Sequence, residues 1–199
     1  MKIKDNVLSN LSEHKIILCS NSPRRKELLN GLNIDFQIRV IDGVDESYDE
    51  GLNGEDIAQM IATKKADAYK ASMAADEITI TADTIVYVDG DVLGKPTDRK
   101  DAIRMVNLIS GRTHDVITGV CVQTLDRRVV FSVSTKVSFV PLSDAEIEFY
   151  VDKYKPFDKA GAYGIQEWIG YVGVDYIEGS FFNVMGLPIQ KLYSVLKTF

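Results

Sequence analysis

The sequence has little of what marks secreted, cysteine-zinc or membrane proteins. Its 199 residues contain two cysteines, Cys19 and Cys121, which are far apart and form no CxxC pair. Neither a disulfide framework nor a cysteine metal site is therefore indicated, and both thiols are interpreted as small buried hydrophobes in a reduced compartment. No apolar run approaches the ~20 residues of a membrane-spanning helix, and the polar start has no apolar signal-peptide core. We therefore expect a cytoplasmic protein with no membrane partner.

An excess of positive charge is also lacking. Lys and Arg number 23 against 29 Asp and Glu, which gives a formal net charge of −6 and an isoelectric point of about 5.0. This balance disfavours nucleic acids and anionic membranes as partners, because both bind surfaces rich in Lys and Arg. It is compatible with a small anionic ligand, since a local cationic pocket can lie on an acidic protein. The 45% hydrophobic and 26% charged residues are typical of a globular chain with a substantial core.

Strand-like and helix-like patterns alternate along the chain and indicate a mixed α/β fold. Apolar, β-rich runs predict strands at 15–19, 36–41, 79–88, 92–93, 115–124 and 129–141. Amphipathic periods with capping residues predict helices at 23–29, 54–73, 98–109, 143–153 and 188–197. The glycine-punctuated stretch between the last two helices is interpreted as β segments. The chain has no repeat, low-complexity tract or linker, so we expect one mixed α/β unit.

A polar hexapeptide stands where the first strand leads into the first helix. It is Ser20-Asn21-Ser22-Pro23-Arg24-Arg25. Ser22 would be the N-cap and Pro23 the first helical residue. A helix N-terminus favours phosphate. Two arginines at the same place are unfavourable beside the positive end of the helix dipole, unless a bound anion compensates their charge. The alternative is a surface turn with solvated arginines. The segment is not a Walker A loop, and no GxGxxG follows a strand.

One acid interrupts the strongly apolar strand predicted at 79–88. This acid is Asp83, and a buried carboxylate is costly unless it is paired, protonated or bound to a metal. One interpretation is therefore a structural cap or salt bridge. The other joins Asp83 with Asp45, Glu46 and Lys95, which could together supply a metal-bound carboxylate pair and a cation for phosphate groups.

A run of small residues occupies 158–166, with the sequence Asp-Lys-Ala-Gly-Ala-Tyr-Gly-Ile-Gln. Small residues permit close backbone approach, and Gln166 can both donate and accept hydrogen bonds. Taken alone, the segment predicts a loop that enters a strand. Trp168 and Tyr171, just beyond it, could line a base pocket or belong to the core or an interface. His114 is interpreted as structural.

Several motifs together resemble the Maf family of nucleotide pyrophosphatases, and they occur in the family's order over about residues 15–197. They are Ser-x-Ser-Pro-Arg-Arg at 20–25, Ala-Asp-Thr at 82–84, Gly-Lys-Pro at 94–96, Ser-Gly-x-x-His at 110–114, Asp-Lys-Ala-Gly-Ala-Tyr-Gly-Ile-Gln at 158–166 and Asn-Val-Met-Gly-Leu-Pro at 183–188. The resemblance implies cleavage of a nucleoside triphosphate between the α and β phosphates. The extra residues 1–14 fall outside the pattern and are expected to form a flexible extension before a single Maf-like domain over 15–199.

The resemblance implies which residues bind the substrate. Ser20, Arg24 and Arg25 would hold the triphosphate, and Lys65 and Lys95 would add positive charge.

The resemblance also implies which residues support the reaction. Glu46 would help to hold a divalent cation, Mg²⁺ or Mn²⁺, and Asp45 is the fallback because the segment before it is one residue longer than is common. Asp83 would activate the attacking water or bind the same cation. Lys95 and Gln166 would complete the catalytic set.

The version of the motif at 158–166 is similar to that of the subgroup that acts on dTTP and UTP. The family fold is a long, twisted mixed sheet flanked by helices, in two lobes with the nucleotide in a central cleft, and usually a homodimer. Two alternatives stay open: a house-cleaning pyrophosphatase for non-standard purine nucleotides, and a nucleotide-binding regulator of cell division without turnover. The intact set of Asp83, Lys95 and Gln166 argues against a dead enzyme.

Overall fold

The computed structural model describes residues 8–49 and 51–199, and strands and helices alternate along them. The strands in this part of the chain are β1 (Lys15–Leu18), β2 (Phe36–Ile38), β3 (Glu77–Val88), β4 (Asp91–Leu93), β5 (Thr113–Gln123), β6 (Arg128–Phe139) and β7 (Val174–Glu178). The helices are α1 (Pro23–Asn30), α2 (Gly54–Lys70), α3 (Arg99–Ile109), α4 (Asp144–Tyr154), α5 (Trp168–Gly173), α6 (Phe181–Val184) and α7 (Ile189–Leu196). The predicted α/β class is confirmed.

The described strands form one mixed sheet with the order β2-β1-β3-β5-β6-β7, and β4 pairs with β3 outside this order. β1 is parallel to both β2 and β3, whereas β4 is antiparallel to β3 and β7 is antiparallel to β6. The predicted hairpin between β3 and β4 turns at Asp89 and Gly90, which both have positive φ. The parallel strands β2, β1 and β3 are the most important for a ligand site, because their carboxyl ends lie at the same edge of the sheet.

The chain divides into two compact units. The first contains the described residues up to Asp83, together with Thr118–Val133 and Gly186–Phe199; the second contains Thr84–Ile117 and Ser134–Met185. Each of the long strands β3, β5 and β6 contributes residues to both units. That residues 15–199 fold as a single domain stays a prediction.

In the first unit, polar bonds fix helix α2 against the sheet. Thr81 Oγ1 in β3 donates to the Ala62 carbonyl at 2.7 Å, and Gln123 Nε2 in β5 donates to the Ala66 carbonyl at 2.7 Å. A Cβ added at Gly119 would lie 2.2 Å from the Ala58 carbonyl, so only glycine permits this approach of helix and strand. This packing sets the position of the α2 side chains that reach toward β3.

Helix caps confirm three starts that the sequence predicts. Ser22, Asp98 and Ser143 each accept a hydrogen bond from the backbone N–H three residues further on. Such caps satisfy N–H groups that the helix cannot pair internally. The interiors of α1, α3 and α4 therefore begin where the sequence indicates.

Both cysteines are buried and form no disulfide, as the sequence suggested. Burial raises the pKa of Cys19 to about 12 and that of Cys121 to about 11, so both stay as unreactive thiols near neutral pH. His114 is also buried, and its Nε2 lies 2.8 Å from the Tyr163 hydroxyl. Burial lowers the pKa of His114 to about 4, which keeps the ring neutral.

The predicted β segments after residue 158 are wrong for most of their length. A 3-10 turn at Ala160–Ala162 and the helices α5 and α6 stand where strands were expected, and β7 is the only strand in this fully described stretch. The glycines serve close packing instead: a Cβ at Gly170 would lie 1.8 Å from the Ile165 carbonyl oxygen, and one at Gly173 would lie 2.9 Å from the Phe139 ring. The period of a six-residue helix is too short to distinguish from a strand in the sequence.

Part of the expected N-terminal extension lies outside the described residues, namely 1–7. In the remainder, Ser9–Leu11 form a 3-10 helix, Leu8 and Leu11 are buried, and Asn10 Nδ2 donates to the Leu196 carbonyl at 2.9 Å. Leu8, Asn10 and Leu11 are therefore tied to the first unit. None of the helices described in residues 8–49 and 51–199 has the length and apolar character to cross a membrane.

Candidate active site

The first unit gathers its predicted site residues at one edge of the sheet. β1 pairs in parallel with β2 and β3 and leaves the sheet after Leu18, opposite Ile80. Ser20 follows β1, Glu46 lies in the segment after β2, and Asp83 lies further along β3 than the last residue paired to β1. The carboxyl ends of parallel strands are the usual place for a ligand in open α/β sheets.

The turn between β1 and α1 is held by its own serines. Ser22 Oγ caps α1, and the Ser22 N–H donates to Ser20 Oγ at 3.2 Å. Arg25 Nη1 also donates to Ser20 Oγ, at 3.5 Å. The turn therefore presents a helix N-terminus, a hydroxyl and a guanidinium together, which suits phosphate oxygens.

Arg25 is tied to the protein more closely than the sequence suggested. Its Nε donates to the Gly186 carbonyl at 2.8 Å, a bond to the segment before α7. Burial lowers the pKa of Arg25, while the charges of Asp83 and Glu46 act in the opposite direction. Arg24, its neighbour, is half-buried. Arg25 thus fixes the turn as well as contributing positive charge near the two acids.

Lys65 joins two carboxylates from separate segments. Its Nζ lies 2.7 Å from Asp83 Oδ1 and 2.9 Å from Glu46 Oε1. Lys65 and Asp83 are largely buried, with side chains 16% and 13% exposed, whereas Glu46 is 49% exposed. We call Glu46, Lys65 and Asp83 the Lys65 cluster. Partial burial strengthens the electrostatic interactions within it relative to the surface.

The structure separates Glu46 from its neighbour Asp45. Asp45 accepts hydrogen bonds from Ser47 and lies 3.0 Å from Lys64 Nζ. These bonds, those from Ser47 foremost, lower the pKa of Asp45 to about 2. Glu46 is therefore the acid that shares a cation with Asp83, and Asp45 belongs to an exposed ion pair beside it.

The donor set of the Lys65 cluster fits a small divalent cation. Magnesium is usually held by one or two carboxylates together with substrate phosphates. Glu46 and Asp83 both contact the Lys65 ammonium, so the two carboxylates lie close enough together to share one cation. Within the described residues, no group of three or more His, Cys, Asp or Glu forms a candidate metal cage. A cation here would rely on substrate oxygens for the rest of its ligands.

Two predicted site residues, Lys95 and Gln166, belong to the second unit. Lys95 is exposed, and the preceding Gly94 carbonyl accepts a hydrogen bond from the Gly161 N–H at 3.0 Å. This bond joins the Lys95 turn to the segment that carries Gln166. Gln166 is half-buried, and its Oε1 is buried without a hydrogen-bond partner in the part of the chain that the structure describes. A buried amide oxygen without a partner is costly unless a ligand supplies a donor.

Sequence reasoning missed three residues around Gln166. They are Tyr150, Lys159 and Glu167; the Glu167 carboxylate contacts both the Tyr150 hydroxyl and the Lys159 ammonium. Lys159 lies in the motif at 158–166, and a lysine followed directly by three small residues was the available signal. Tyr150 is on α4, and nothing local in the sequence links it to Gln166.

Comparison with known proteins finds relatives that match nearly the whole chain. The family model described as "Maf-like protein" matches residues 15–199. A protein from Parabacteroides distasonis named "dTTP/UTP pyrophosphatase" is 57% identical over 97% of this chain and 100% of its own length. Proteins of the same name from Bacteroides thetaiotaomicron and Porphyromonas gingivalis are 55% and 51% identical, over 96% and 97% of this chain and 99% and 98% of theirs.

One solved structure shows a distant likeness. A HAM1 protein from Coxiella burnetii matches with a TM-score of 0.48 and 14% identity, over 94% of this chain and 100% of that chain, a level that says nothing about function. The family match and the relatives above half identity decide the assignment. The chain belongs to the Maf family.

Proposed function

We propose that this chain hydrolyses dTTP and UTP to the nucleoside monophosphate and pyrophosphate. The observation that carries the proposal is the Lys65 cluster, in which one ammonium holds two carboxylates close to Arg25. Such a cluster combines cations for phosphate oxygens with an acid that can act on water. The relatives named dTTP/UTP pyrophosphatase support the choice of substrate.

The triphosphate would be bound by the turn at the start of α1. Ser20, Arg24 and Arg25 supply a hydroxyl and two guanidinium groups there, and Lys65 adds an ammonium. One guanidinium group can donate two parallel hydrogen bonds to a phosphate group, which orients the phosphate chain as well as neutralising its charge. On the family resemblance, Lys95 is assigned to the same reaction and Gln166 to the same active site.

In the reaction itself, a water oxygen forms a bond to the α-phosphorus. The bond from that phosphorus to the bridging oxygen breaks, and pyrophosphate leaves with the electron pair. Asp83 accepts the proton of the attacking water as general base. Lys65, at 2.7 Å, orients the Asp83 carboxylate. Mg²⁺ or Mn²⁺, held by Glu46 and Asp83, would neutralise charge on the phosphate oxygens.

The proposal includes a cytoplasmic homodimer, which the sequence and the family resemblance favour. Light scattering coupled to gel filtration tests the dimer. A mass of twice the chain mass of 22.2 kDa is expected, and the mass of a single chain would contradict it.

The reaction is tested by product analysis in water labelled with ¹⁸O. The wild-type chain and Mg²⁺ or Mn²⁺ are incubated with dTTP, UTP, CTP, ATP, GTP, ITP and XTP, and products are identified by mass spectrometry. We expect pyrophosphate from dTTP and UTP, with the label in the monophosphate. Label in pyrophosphate would place the attack on the β-phosphorus and contradict the mechanism. Release from ITP and XTP alone would move the specificity to non-standard purines, and binding without release would favour the regulator.

A further inference from the structure

The segment around Gln166 is held from both sides by close contacts. Ile165 is buried. A Cβ added at Gly170 would lie only 1.8 Å from the Ile165 carbonyl oxygen, so the two backbones are in close contact. On the other side, the Glu167 N–H donates to the Gly164 carbonyl at 2.9 Å and closes a tight turn. Gln166 is therefore placed between two residues whose backbones have little freedom.

A buried polar network fixes the side chains beneath this turn. Lys159 Nζ lies 3.0 Å from Glu167 Oε1 and 2.9 Å from Asp158 Oδ1. The Tyr150 hydroxyl donates to Glu167 Oε2 and accepts from the Gly164 N–H at 2.9 Å. We call Tyr150, Lys159 and Glu167 the Tyr150 network. It joins α4, the start of the segment and the residue after Gln166.

The network is both buried and tightly packed. Tyr150 is 0% exposed and Lys159 is 7% exposed. A Cβ added at Gly164 would lie 2.9 Å from Glu167 Cδ and 3.0 Å from Lys159 Cε. Burial and the Glu167 charge raise the pKa of Tyr150, so its hydroxyl stays a donor. Buried polar networks of this kind add little net stability but can specify one conformation.

The Gln166 side chain has an unused hydrogen-bond acceptor that a ligand could pair with. Its Oε1 is buried and has no hydrogen-bond partner in the described residues, although its neighbours on both sides are held in place. Uracil and thymine present an N3–H donor between two carbonyl groups, whereas cytosine presents an acceptor at that position. With its oxygen turned toward the base, the Gln166 amide would accept a hydrogen bond from uracil or thymine, whereas cytosine would face it with another acceptor.

We propose that Tyr150, Lys159 and Glu167 are positioning residues that hold Gln166 against the nucleobase and so support selection of UTP and dTTP over CTP. This proposal rests on the proposed function. The residues act through Gln166 and do not touch the reacting phosphates. Their effect belongs mainly in KM and in base selection rather than in kcat.

A double-mutant cycle tests the proposal. Tyr150→Phe removes one hydroxyl and keeps the ring, and Glu167→Gln keeps the shape but loses the charge that faces Lys159. Each variant is made alone and together with Gln166→Ala. Asp152→Asn is the control, because Asp152 on the same helix pairs with exposed Arg99 instead. Circular dichroism and thermal unfolding select the variants that fold, and Glu167→Gln replaces Tyr150→Phe if the latter does not.

We expect Tyr150→Phe to raise KM for UTP by about tenfold, as for the loss of one well-made hydrogen bond, with kcat changed less than about threefold. The ratio of kcat/KM for UTP over CTP should fall by about tenfold. In the Gln166→Ala background the same change should cost less than about twofold, because its effect passes through Gln166. Asp152→Asn should match the wild type.

Additive losses in the cycle, or an unchanged ratio of UTP to CTP, would overturn the proposal and leave the proposed function intact. If the wild type releases no pyrophosphate, the proposed function fails separately, and the cycle is measured as UTP dissociation constants by calorimetry. Coupling between Tyr150 and Gln166 in binding would then support the proposal. Independent effects, or no binding of UTP, would overturn it.

Discussion

The two units of the chain each contain a lysine shared between two carboxylates. In the first unit Lys65 lies between Glu46 and Asp83, and in the second Lys159 lies between Asp158 and Glu167. The distances are nearly equal, from 2.7 to 3.0 Å. The surroundings differ. The Lys65 cluster lies at the carboxyl edge of parallel strands and close to Arg25, whereas Glu167 also binds the buried Tyr150 hydroxyl.

This difference shows why charge pattern alone does not identify a catalytic site. Beside a further cation at the carboxyl edge of a sheet, a carboxylate pair can bind a metal ion and act on water. Enclosed by a phenol and by glycine backbone, the same three charges fix a conformation. We therefore expect substitutions in the first group to change turnover and substitutions in the second to change stability and base selection.

The largest expected effect comes from Lys65→Met. The variant loses the ammonium that contacts Asp83 and is proposed to bind phosphate, so kcat/KM for dTTP should fall by at least about 100-fold. The free energy of unfolding in Mg²⁺ should change by less than about 1 kcal/mol, because a divalent cation can compensate the two acids. Pyrophosphate release and urea unfolding measure the two quantities. A large loss of stability with a small loss of activity would reverse the comparison.

Lys159→Met should show the opposite balance. It leaves Glu167, which is 19% exposed, without its cation, and we expect the free energy of unfolding to fall by about 2 kcal/mol. The double variant Lys159→Met with Glu167→Leu should recover part of this loss, since no buried charge is then unpaired. Equal stabilities for the wild type and Lys159→Met would show that the buried pair contributes nothing to the fold.

The smallest effect separates two adjacent acids. Glu46→Gln should raise the Mg²⁺ concentration needed for half-maximal activity by about tenfold, because the variant lacks one of the two carboxylates proposed to hold the cation. Asp45→Asn is the matched control and should leave this concentration unchanged, since Asp45 pairs with Lys64. Removal of divalent cations with a chelator should stop turnover in both. A shift for Asp45→Asn instead would exchange the roles of the two residues.

Much of the first unit could be predicted because its signals are local. The apolar run before Ser20, the cap at Ser22 and the isolated acid Asp83 are each visible within a few residues. The choice between Asp45 and Glu46 could not be made, because it depends on which acid reaches Lys65 on another element. Long-range pairing of this kind has no counterpart in local sequence patterns.

The structure of the second unit was harder to predict from the sequence, for a related reason. Glycines at 164, 170 and 173 suggested β segments, but each of them permits close packing around a short helix. Tyr150 and Glu167 are 17 residues apart and meet only in the folded chain. The sequence indicated that Gln166 matters, but not what holds it in place.

The claim that the Lys65 cluster performs the chemistry is tested most directly by Asp83→Asn. We would measure dTTP binding by calorimetry and single-turnover pyrophosphate release for this variant beside the wild type. Binding should stay within about threefold, whereas the rate should fall by at least about 100-fold, as expected for loss of a general base. A rate within a few-fold of the wild type would contradict the account and remove Asp83 from the catalytic role.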